Sequence, residues 1–119
     1  MGFTVELVRP LPKPTGTDRR RGRGKAAPRD EILDRFFEDG EIWRAVWRLG
    51  PDRFPTLFRL DSHSSHVFDA YWVELMLAEV DRIQDMEVTA DESEVFTGLR
   101  AMGRSCLLDR SLVMRFTGD

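Results

Sequence analysis

Apolar and polar side chains alternate at the start of the chain, where Phe3, Val5 and Leu7 are separated by Thr4 and Glu6. A period of two is typical of a β-strand with one buried face. Three prolines between positions 10 and 14 then end the pattern, because proline has no backbone N–H to donate. The spacing therefore predicts a first strand over residues 3–8.

The next apolar residues recur at the spacing of a helix. A helix is predicted from Arg29 or Asp30 to about Asp39, with acidic residues in its first turn and Gly40 in the position that ends it. The apolar stripe of this helix would consist of Ile32, Leu33, Phe36 and Phe37.

Residues 41–49 fit two patterns. A helical stripe is formed by Ile42, Val46 and Leu49. A strand-like alternation is formed by Trp43, Ala45, Trp47 and Leu49. We favour a second short helix here, followed by a turn at Gly50-Pro51-Asp52.

The segment Phe54–Leu60 predicts a second strand, because Pro55 near its start is tolerated at that position. A polar loop follows at Asp61–His66. The clearest amphipathic helix is predicted over about residues 67–85. Its apolar positions repeat at intervals of three and four, namely Phe68, Trp72, Leu75, Met76, Val80 and Ile83.

The last part of the chain predicts a helix and a strand. Thr89 and Glu92 match a capping box at the start of a final helix. The buried stripe of this helix would be Val95, Leu99, Met102 and Cys106. Gly103 costs a helix about 1 kcal/mol relative to alanine, which indicates close packing against a neighbouring helix. The closing strand is predicted over Ser111–Phe116, with Leu112, Met114 and Phe116 on one face.

These elements predict an α+β fold in the order β-α-(α)-β-α-α-β. The sheet would be small, with three strands that are at least partly antiparallel, and three to four helices would cover one of its faces. The length of 119 residues fits a single domain, residues 1–119, with a basic loop or arm at about residues 10–29.

Charge is divided unevenly along the chain. Residues 1–29 hold eight basic and two acidic side chains, whereas residues 30–119 hold ten basic and nineteen acidic ones. The net charge of −3 therefore combines a segment of +6 with a body of −9. Such asymmetry bears on partners rather than on fold, and an acidic body favours a basic partner.

Composition limits the class of protein. Hydrophobic residues make up 41% of the chain, which is typical of a globular protein. The single cysteine, Cys106, cannot form an internal disulfide and is expected to be an inert core thiol. We find no signal-peptide pattern and no apolar run of the roughly 20 residues that a membrane span needs. The sequence predicts a soluble cytoplasmic protein that needs no cofactor.

The loop before the long amphipathic helix is the first candidate site. It brings together Asp61, His63, His66 and Asp69. A divalent metal needs three or four such ligands that converge, but two histidines in a loop have no fixed geometry. A polar turn in which Ser65 or His66 caps the following helix is the favoured interpretation, and a metal site or general base is the alternative.

The second candidate site is a run of basic residues, the possible anion-binding groups Arg19, Arg20, Arg21, Arg23 and Lys25. Arginine presents a planar fork to phosphates, and interspersed glycines let a backbone follow a nucleic acid. No aromatic residue is interleaved for base stacking, and the acidic body would repel nucleic acid. A solvated segment beside the acidic surface is therefore the favoured interpretation.

Aromatic residues form a third candidate set, Phe36, Phe37, Trp43, Trp47, Phe54, Phe58 and Trp72. Aromatic residues at helical spacing belong to the core more often than they line a ligand pocket. Any of them that is left exposed would indicate an interface, where aromatic side chains are enriched.

From Phe54 onward the chain resembles a group of small proteins of unassigned function from high-GC bacteria. The resemblance lies in Phe54–Asp61, His66–Asp69, Gly98–Cys106 and Leu112–Asp119, which closes on Gly-Asp. The group shares a strand, an acidic turn, a Val-Phe helix start and a closing strand. Its members carry Pro, Tyr, Gly and Asp where this chain has Ser62–Ser65, which implies that His63 and His66 are particular to this chain. The resemblance supports the architecture and implies no activity.

The favoured hypothesis is a non-enzymatic intracellular protein-binding module, either an immunity-type protein that neutralises a toxin or a regulatory partner. The sequence contains no phosphate loop, no dinucleotide fingerprint and no activated-serine elbow, which favours binding over catalysis. One alternative is a small metal-dependent hydrolase that uses the 61–69 loop. The other is nucleic-acid binding through residues 19–25.

Overall fold

The computed structural model describes residues 2–11 and 30–118. Its strands and helices are β1 (Phe3–Arg9), β2 (Glu31–Glu38), α1 (Glu41–Leu49), β3 (Ser65–Phe68), α2 (Ala70–Asp81), α3 (Ala90–Leu108) and β4 (Val113–Gly118). Short 3₁₀ turns lie at Pro51–Arg53, Leu57–Arg59 and Asp85–Glu87. The predicted α+β class is confirmed, and the predicted arm falls almost wholly outside the described residues.

The sheet has four strands in the order β2-β1-β4-β3, one more than the sequence predicts, and all of its pairings are antiparallel. β1 and β4 are the central pair, so Val5 lies between Phe36 of β2 and Phe116 of β4. Two of the four are not predicted as strands: β2 is predicted as a helix, and β3 is predicted as the end of the polar loop and the start of the following helix. The strand predicted at Phe54–Leu60 is absent, so the total rises by one.

One face of the sheet carries the hydrophobic core. Val5, Met114 and Phe116 on this face are fully buried, and they join one cluster with buried residues of all three α-helices. Phe116 contacts Phe68 with ring centroids 5.0 Å apart. α2 and α3 pack closely within this layer, because a Cβ atom on Gly103 would lie 2.9 Å from Leu77 Cδ2. The close packing predicted at Gly103 is confirmed.

The helix predicted for residues 30–39 is wrong, because this segment is strand β2. Its apolar residues come in two doublets four positions apart, Ile32-Leu33 and Phe36-Phe37. This spacing is the same as that of an apolar stripe on a helix. A β-bulge lies at the first doublet: Leu7 pairs with Asp34 and Val8 pairs with Ile32, which leaves Leu33 as the extra residue. In the second doublet Phe36 packs against the core and Phe37 is 72% exposed, so apolar residues lie on both faces of β2 and the sequence shows no period of two.

A carboxylate shared between three strands holds β2 in the sheet. On the face opposite the core, Glu6 of β1 accepts hydrogen bonds from Arg35 of β2 at 2.6 and 2.8 Å and from Arg115 of β4 at 3.0 Å. Glu6 is only 5% exposed. Its burial alone would raise the pKa of this carboxyl, but the two guanidinium groups lower it below its ordinary value.

The strand predicted for Phe54–Leu60 is also wrong, because the segment forms tight turns. Phe54, Leu57 and Leu60 are each 1% exposed, and their spacing of three is that of a 3₁₀ helix. The buried Glu79 of α2 accepts hydrogen bonds from the backbone N–H of Thr56 at 3.0 Å and of Leu57 at 3.2 Å. These amides are therefore satisfied by a side chain instead of a neighbouring strand.

The remaining helical predictions are confirmed with adjusted bounds. α1 is the second short helix expected at residues 41–49, and the Thr89–Glu92 capping box is present at the start of α3. α2 is shorter than predicted because Asp69, instead of Ser65 or His66, caps it by accepting from Trp72 N at 3.2 Å. The closing strand is shifted, since β4 spans Val113–Gly118.

The single cysteine lies in the core, as the sequence predicts. Cys106 is fully buried, and its thiol donates a hydrogen bond to the Leu112 carbonyl at 3.4 Å. Burial, together with the negative charges of Asp69 and Asp109, raises the pKa of this thiol. A thiol held protonated in this way is a poor nucleophile.

We predict that Glu79→Ala lowers the free energy of unfolding by about 3 kcal/mol, because it leaves two buried backbone amides without an acceptor. Urea unfolding followed by circular dichroism measures the change. The control is Glu74→Ala on the same helix, where the side chain is exposed and a change below about 0.5 kcal/mol is expected. Equal stability of the two variants would show that Glu79 does not hold the Phe54–Leu60 segment.

Candidate functional site

Three aromatic rings form a cluster at the surface, which we call the aromatic cluster: Trp43, Trp47 and Phe58. The two tryptophans are one turn apart on α1 and stack with ring centroids 6.0 Å apart and planes inclined by 22°. Phe58 meets both edge-on, with centroid distances of 5.8 Å to Trp43 and 5.4 Å to Trp47. Each ring restricts the rotamers of the other two, so the cluster is ordered before any ligand binds.

The aromatic cluster is largely exposed to solvent. Trp47 is 60% exposed and Phe58 is 40% exposed, while Trp43 is half-buried against the core. α1 buries Ile42, Ala45 and Val46 instead, so the tryptophans lie on the neighbouring face of the helix. Exposed large aromatic side chains in contact with one another are typical of interaction surfaces.

A surface hollow of about 560 Å³ adjoins the cluster. Its lining consists of Asp39, Gly40, Trp43, Arg44, Trp47 and Ser62. One wall is therefore aromatic, and the rim carries one acidic and one basic side chain. A hollow of this kind can take an apolar side chain with a polar or charged end.

The start of α1 is built around two carboxyl groups. Gly40 precedes the helix with φ of 100°, a left-handed conformation that lets the chain turn from β2 directly into α1. The amide of Gly40 donates to Glu38 Oε2, and the amide of Asp39 donates to Glu41 Oε2. These carboxylates satisfy backbone donors at the edge of the hollow.

Glu38 is unusual among these groups because it is buried, at 7% exposure. Its Oε1 has no hydrogen-bond partner within the part of the chain that the structure describes. Burial and the neighbouring Glu41 carboxyl raise the pKa of Glu38 to about 7. Burial also acts on Glu41, but backbone donors and the hydrogen bond with Glu38 lower the pKa of that group. At mildly acidic pH Glu38 is therefore protonated while Glu41 is ionised.

The end of α1 is fixed to α3 by an ion pair. Arg48 donates to Glu92 Oε2 at 2.9 Å and to the carbonyl oxygen of Glu87 at 2.9 Å. Glu92 is 2% exposed, and the hydrogen bond from Arg48 lowers the pKa of its carboxyl. Arg53 binds the Glu87 carboxylate at 2.6 and 3.1 Å, and this contact lowers the pKa of Glu87 to about 2. These contacts hold the aromatic cluster on a rigid support.

The four residues of the predicted loop site have separate local roles. His66 Nε2 accepts a hydrogen bond from the amide of Asp61 at 2.9 Å, and Asp61 Oδ1 accepts from the amide of His63 at 2.9 Å. Asp69 caps α2, and His63 is exposed. In residues 2–11 and 30–118, no group of three or more His, Cys, Asp or Glu side chains is arranged to hold a metal ion.

The basic candidate residues Arg19, Arg20, Arg21, Arg23 and Lys25 lie outside the described residues. Of the other aromatic candidates, Phe54 is buried in the core, and Trp72 is half-buried beneath Arg59, whose guanidinium lies 4.3 Å from its ring centroid. Phe37 is 72% exposed on β2. The aromatic set named from the sequence thus contains the exposed cluster. The sequence alone does not show that this cluster is exposed. Its exposure follows from residues 41–49 forming a helix that buries Ile42 and Val46.

Comparisons with protein-family models, with curated proteins and with solved structures find no match to this chain. The resemblance of residues 54–119 to small bacterial proteins therefore stays a prediction. Among the helices of the described segments, none combines the length and the apolar character that crossing a membrane requires.

We predict that His66→Ala lowers the free energy of unfolding by about 1 kcal/mol, because the amide of Asp61 loses its acceptor. His63→Ala is the matched control, since the His63 side chain is exposed and its backbone alone makes the turn hydrogen bond. Thermal unfolding with and without added Zn²⁺ measures both variants. Stabilisation of the wild type by Zn²⁺ that both substitutions abolish would contradict the turn role and restore the metal site.

We predict that Glu38 makes the protein less stable as the pH rises from about 5 to 7. The folded protein holds a proton on Glu38 up to a pKa of about 7, whereas the unfolded chain releases it near its ordinary value of 4.5. Above pH 7 the folded state must keep a buried carboxylate. Glu38→Gln cannot ionise, so its stability relative to the wild type should rise by about 2 to 3 kcal/mol between pH 5 and pH 8.

Urea unfolding at several pH values measures this difference, in which the contributions of other titrating groups cancel. Glu74→Gln serves as the control, because this exposed side chain should follow the wild-type pH dependence. A constant difference between Glu38→Gln and the wild type across this pH range would show that Glu38 ionises normally.

Proposed function

We propose that this chain is a protein-binding module that contacts a partner protein through the aromatic cluster of Trp43, Trp47 and Phe58. The observation that carries this proposal is the exposure of Trp47, at 60%, within a stacked and anchored set of rings. Tryptophan is the residue type most enriched among the side chains that dominate binding energy at protein interfaces.

The support behind the cluster favours binding of a partner without large rearrangement. Arg48 near the end of α1 donates a hydrogen bond to Glu92 of α3. Phe58 follows Thr56 and Leu57, whose backbone amides donate to the buried Glu79. Rings that are already ordered lose little side-chain entropy on association. The adjoining hollow of about 560 Å³ gives an apolar side chain of the partner a place to insert.

Charge favours a basic partner. The sequence from residue 30 onward carries nineteen acidic and ten basic side chains. A net negative surface raises the rate of association with a basic protein, and this gain falls as salt screens the charges. An immunity-type protein that neutralises a basic toxin is one concrete form of the proposal, and a regulatory partner protein is the other.

The described ionisable groups are consistent with a binding role instead of a catalytic one. Asp61 and His66 make local hydrogen bonds within one turn, and Asp69 caps a helix. Cys106 is buried and donates to a backbone carbonyl. A non-enzymatic role is therefore part of the proposal, and no observation in the described residues favours the metal-dependent hydrolase or the nucleic-acid alternative over it.

We predict that Trp47→Ala weakens association with the partner roughly 30-fold, because it removes the exposed centre of the aromatic cluster. The partner is first captured by cross-linking from the cells that produce this protein, then purified and titrated by calorimetry. Association should also weaken as NaCl is raised from 50 to about 300 mM, following the screening of exposed charges.

Tyr71→Ala is the matched control, since Tyr71 is 62% exposed on α2 and lies outside the aromatic cluster. This variant should keep the wild-type affinity, and circular dichroism should show that both variants remain folded. A captured protein that binds Trp47→Ala as tightly as the wild type would refute the cluster as the contact surface. Capture of nucleic acid alone would count against the protein-binding function itself.

A further inference from the structure

A groove of about 550 Å³ lies between β2 and α3, apart from the aromatic cluster. Its lining from β2 and the start of α1 is Asp34, Phe36, Phe37 and Glu41, and its lining from α3 is Asp91, Glu94, Val95, Thr97, Gly98 and Ala101. The α3 residues recur at intervals that place them along one side of the helix. The groove therefore runs between a strand and a helix that form its two walls.

The strand wall is an edge of the sheet. β2 pairs with β1 only, among the strands that the structure describes. Every second residue of an edge strand directs its backbone N–H and C=O away from the sheet, where another extended chain can pair with them. On β2 the amide of Arg35 donates to Asp34 Oδ1 at 2.8 Å, and an added strand would replace that contact. The groove thus offers main-chain hydrogen-bonding groups along one wall.

The floor of the groove is apolar and leaves room beside the strand. Phe36 is half-buried and packs against the core, and its ring reaches α3 at Gly98, where a Cβ atom would lie 3.4 Å from Phe36 Cε1. Ala101 follows one turn later on the same wall. Because Gly98 has no side chain and Ala101 has only a methyl group, the helix wall leaves space beside Phe36, and a small apolar side chain of an added strand fits there.

The rim of the groove is acidic. It carries Asp34, Glu41, Asp91 and Glu94, and no lysine or arginine of the described residues lines it. Asp91 and Glu94 are exposed on α3, and Glu41 has a longer contact of 3.6 Å with Arg44. Glu41 is thus paired and mostly buried, whereas Asp34 on β2 and Asp91 and Glu94 on α3 have no ion pair among the described residues. These three carboxylates, on both walls, favour basic side chains in the groove.

We propose that this groove binds an extended basic segment of a partner protein, which adds to β2 as a fifth strand of the sheet. Side chains of a strand alternate between its two faces, so every second residue of the segment would enter the groove. The residue above Phe36 would be small and apolar. In the bound segment, the residues two positions before and after it would be Arg or Lys, and their side chains would face the acidic rim.

A second copy of this chain fits the groove less well. Two β2 edges that paired with each other would bring together the acidic rims of both copies, and repulsion between like charges opposes that arrangement. The charge pattern therefore selects a basic segment as the occupant. This surface is separate from the aromatic cluster, so the inference does not depend on the proposed function.

The test uses the full chain and the peptide Ac-Thr-Arg-Thr-Val-Thr-Arg-Thr-NH2, labelled for fluorescence anisotropy. The matched control peptide replaces both arginines by glutamates and should not bind. Asp91→Asn with Glu94→Gln should weaken binding of the basic peptide about tenfold, because two charge contacts are lost. The control variant, Asp52→Asn with Glu74→Gln, removes two exposed carboxylates outside the groove and should bind normally.

Two N-methylated peptides test strand addition separately from charge. Methyl groups on the odd-numbered residues block one set of alternate N–H groups, and methyl groups on the even-numbered residues block the other. Strand addition predicts that one set abolishes binding and the other leaves it within about threefold, since only alternate amides face β2. Equal effects of the two sets would refute strand addition.

Other outcomes identify a different occupant and overturn the proposal. A concentration-dependent dimer by analytical ultracentrifugation, disrupted by the peptide, would assign the edge to a second copy. Much tighter peptide binding after replacing Arg19, Arg20, Arg21, Arg23 and Lys25 by serine would assign it to the chain's own basic run. Trp47→Ala should leave peptide binding unchanged, because Trp47 does not line the groove. This variant therefore distinguishes binding in the groove from binding at the aromatic cluster.

Discussion

The position of β2 depends on the carboxylate of Glu6, which joins three strands by accepting from Arg35 and Arg115. Most residues of β2 are exposed, and only its last residue, Glu38, is buried. The strand is held by its ladder with β1, and Phe36 is its main contact with the core. The burial of an unpaired charge is costly, so Glu6 is stable there only with both arginines in place. Because β2 leads directly into α1, this contact also sets where the aromatic cluster and the acidic groove lie.

Buried carboxylates have the same kind of role elsewhere in the molecule. Glu79 satisfies the amides of an irregular segment and so places Phe58, while Glu92 caps α3 and binds Arg48 of α1. Each of these carboxylates accepts from a donor that is distant in sequence: a backbone amide in the case of Glu79 and a guanidinium group in the case of Glu92. Both candidate surfaces are thus assembled by polar contacts on the margin of the core, and the hydrophobic cluster supplies the layer against which these elements pack.

Local signals in the sequence were enough for the elements that depend on local contacts. β1 follows its alternation, and the Thr89–Glu92 capping box places the start of α3. The segments 30–39 and 54–60 depend instead on partners far along the chain, a bulged ladder with β1 and the carboxylate of Glu79. No window of sequence contains those partners. The aromatic residues of the candidate site could be named, but their exposure depends on which face of α1 meets the core.

The central pair of the sheet joins the first strand in the sequence to the last, so that Phe3 lies opposite Gly118. While the chain is being made on a ribosome, β1 and β2 can form a hairpin, but the middle of the sheet stays open until β4 has emerged. A two-stranded hairpin is marginally stable by itself, and α2 and α3 have little to pack on before then. The fold therefore has a high contact order, and the apolar surface of the first three strands and the helices is exposed to aggregation and to chaperones until β4 has been synthesised.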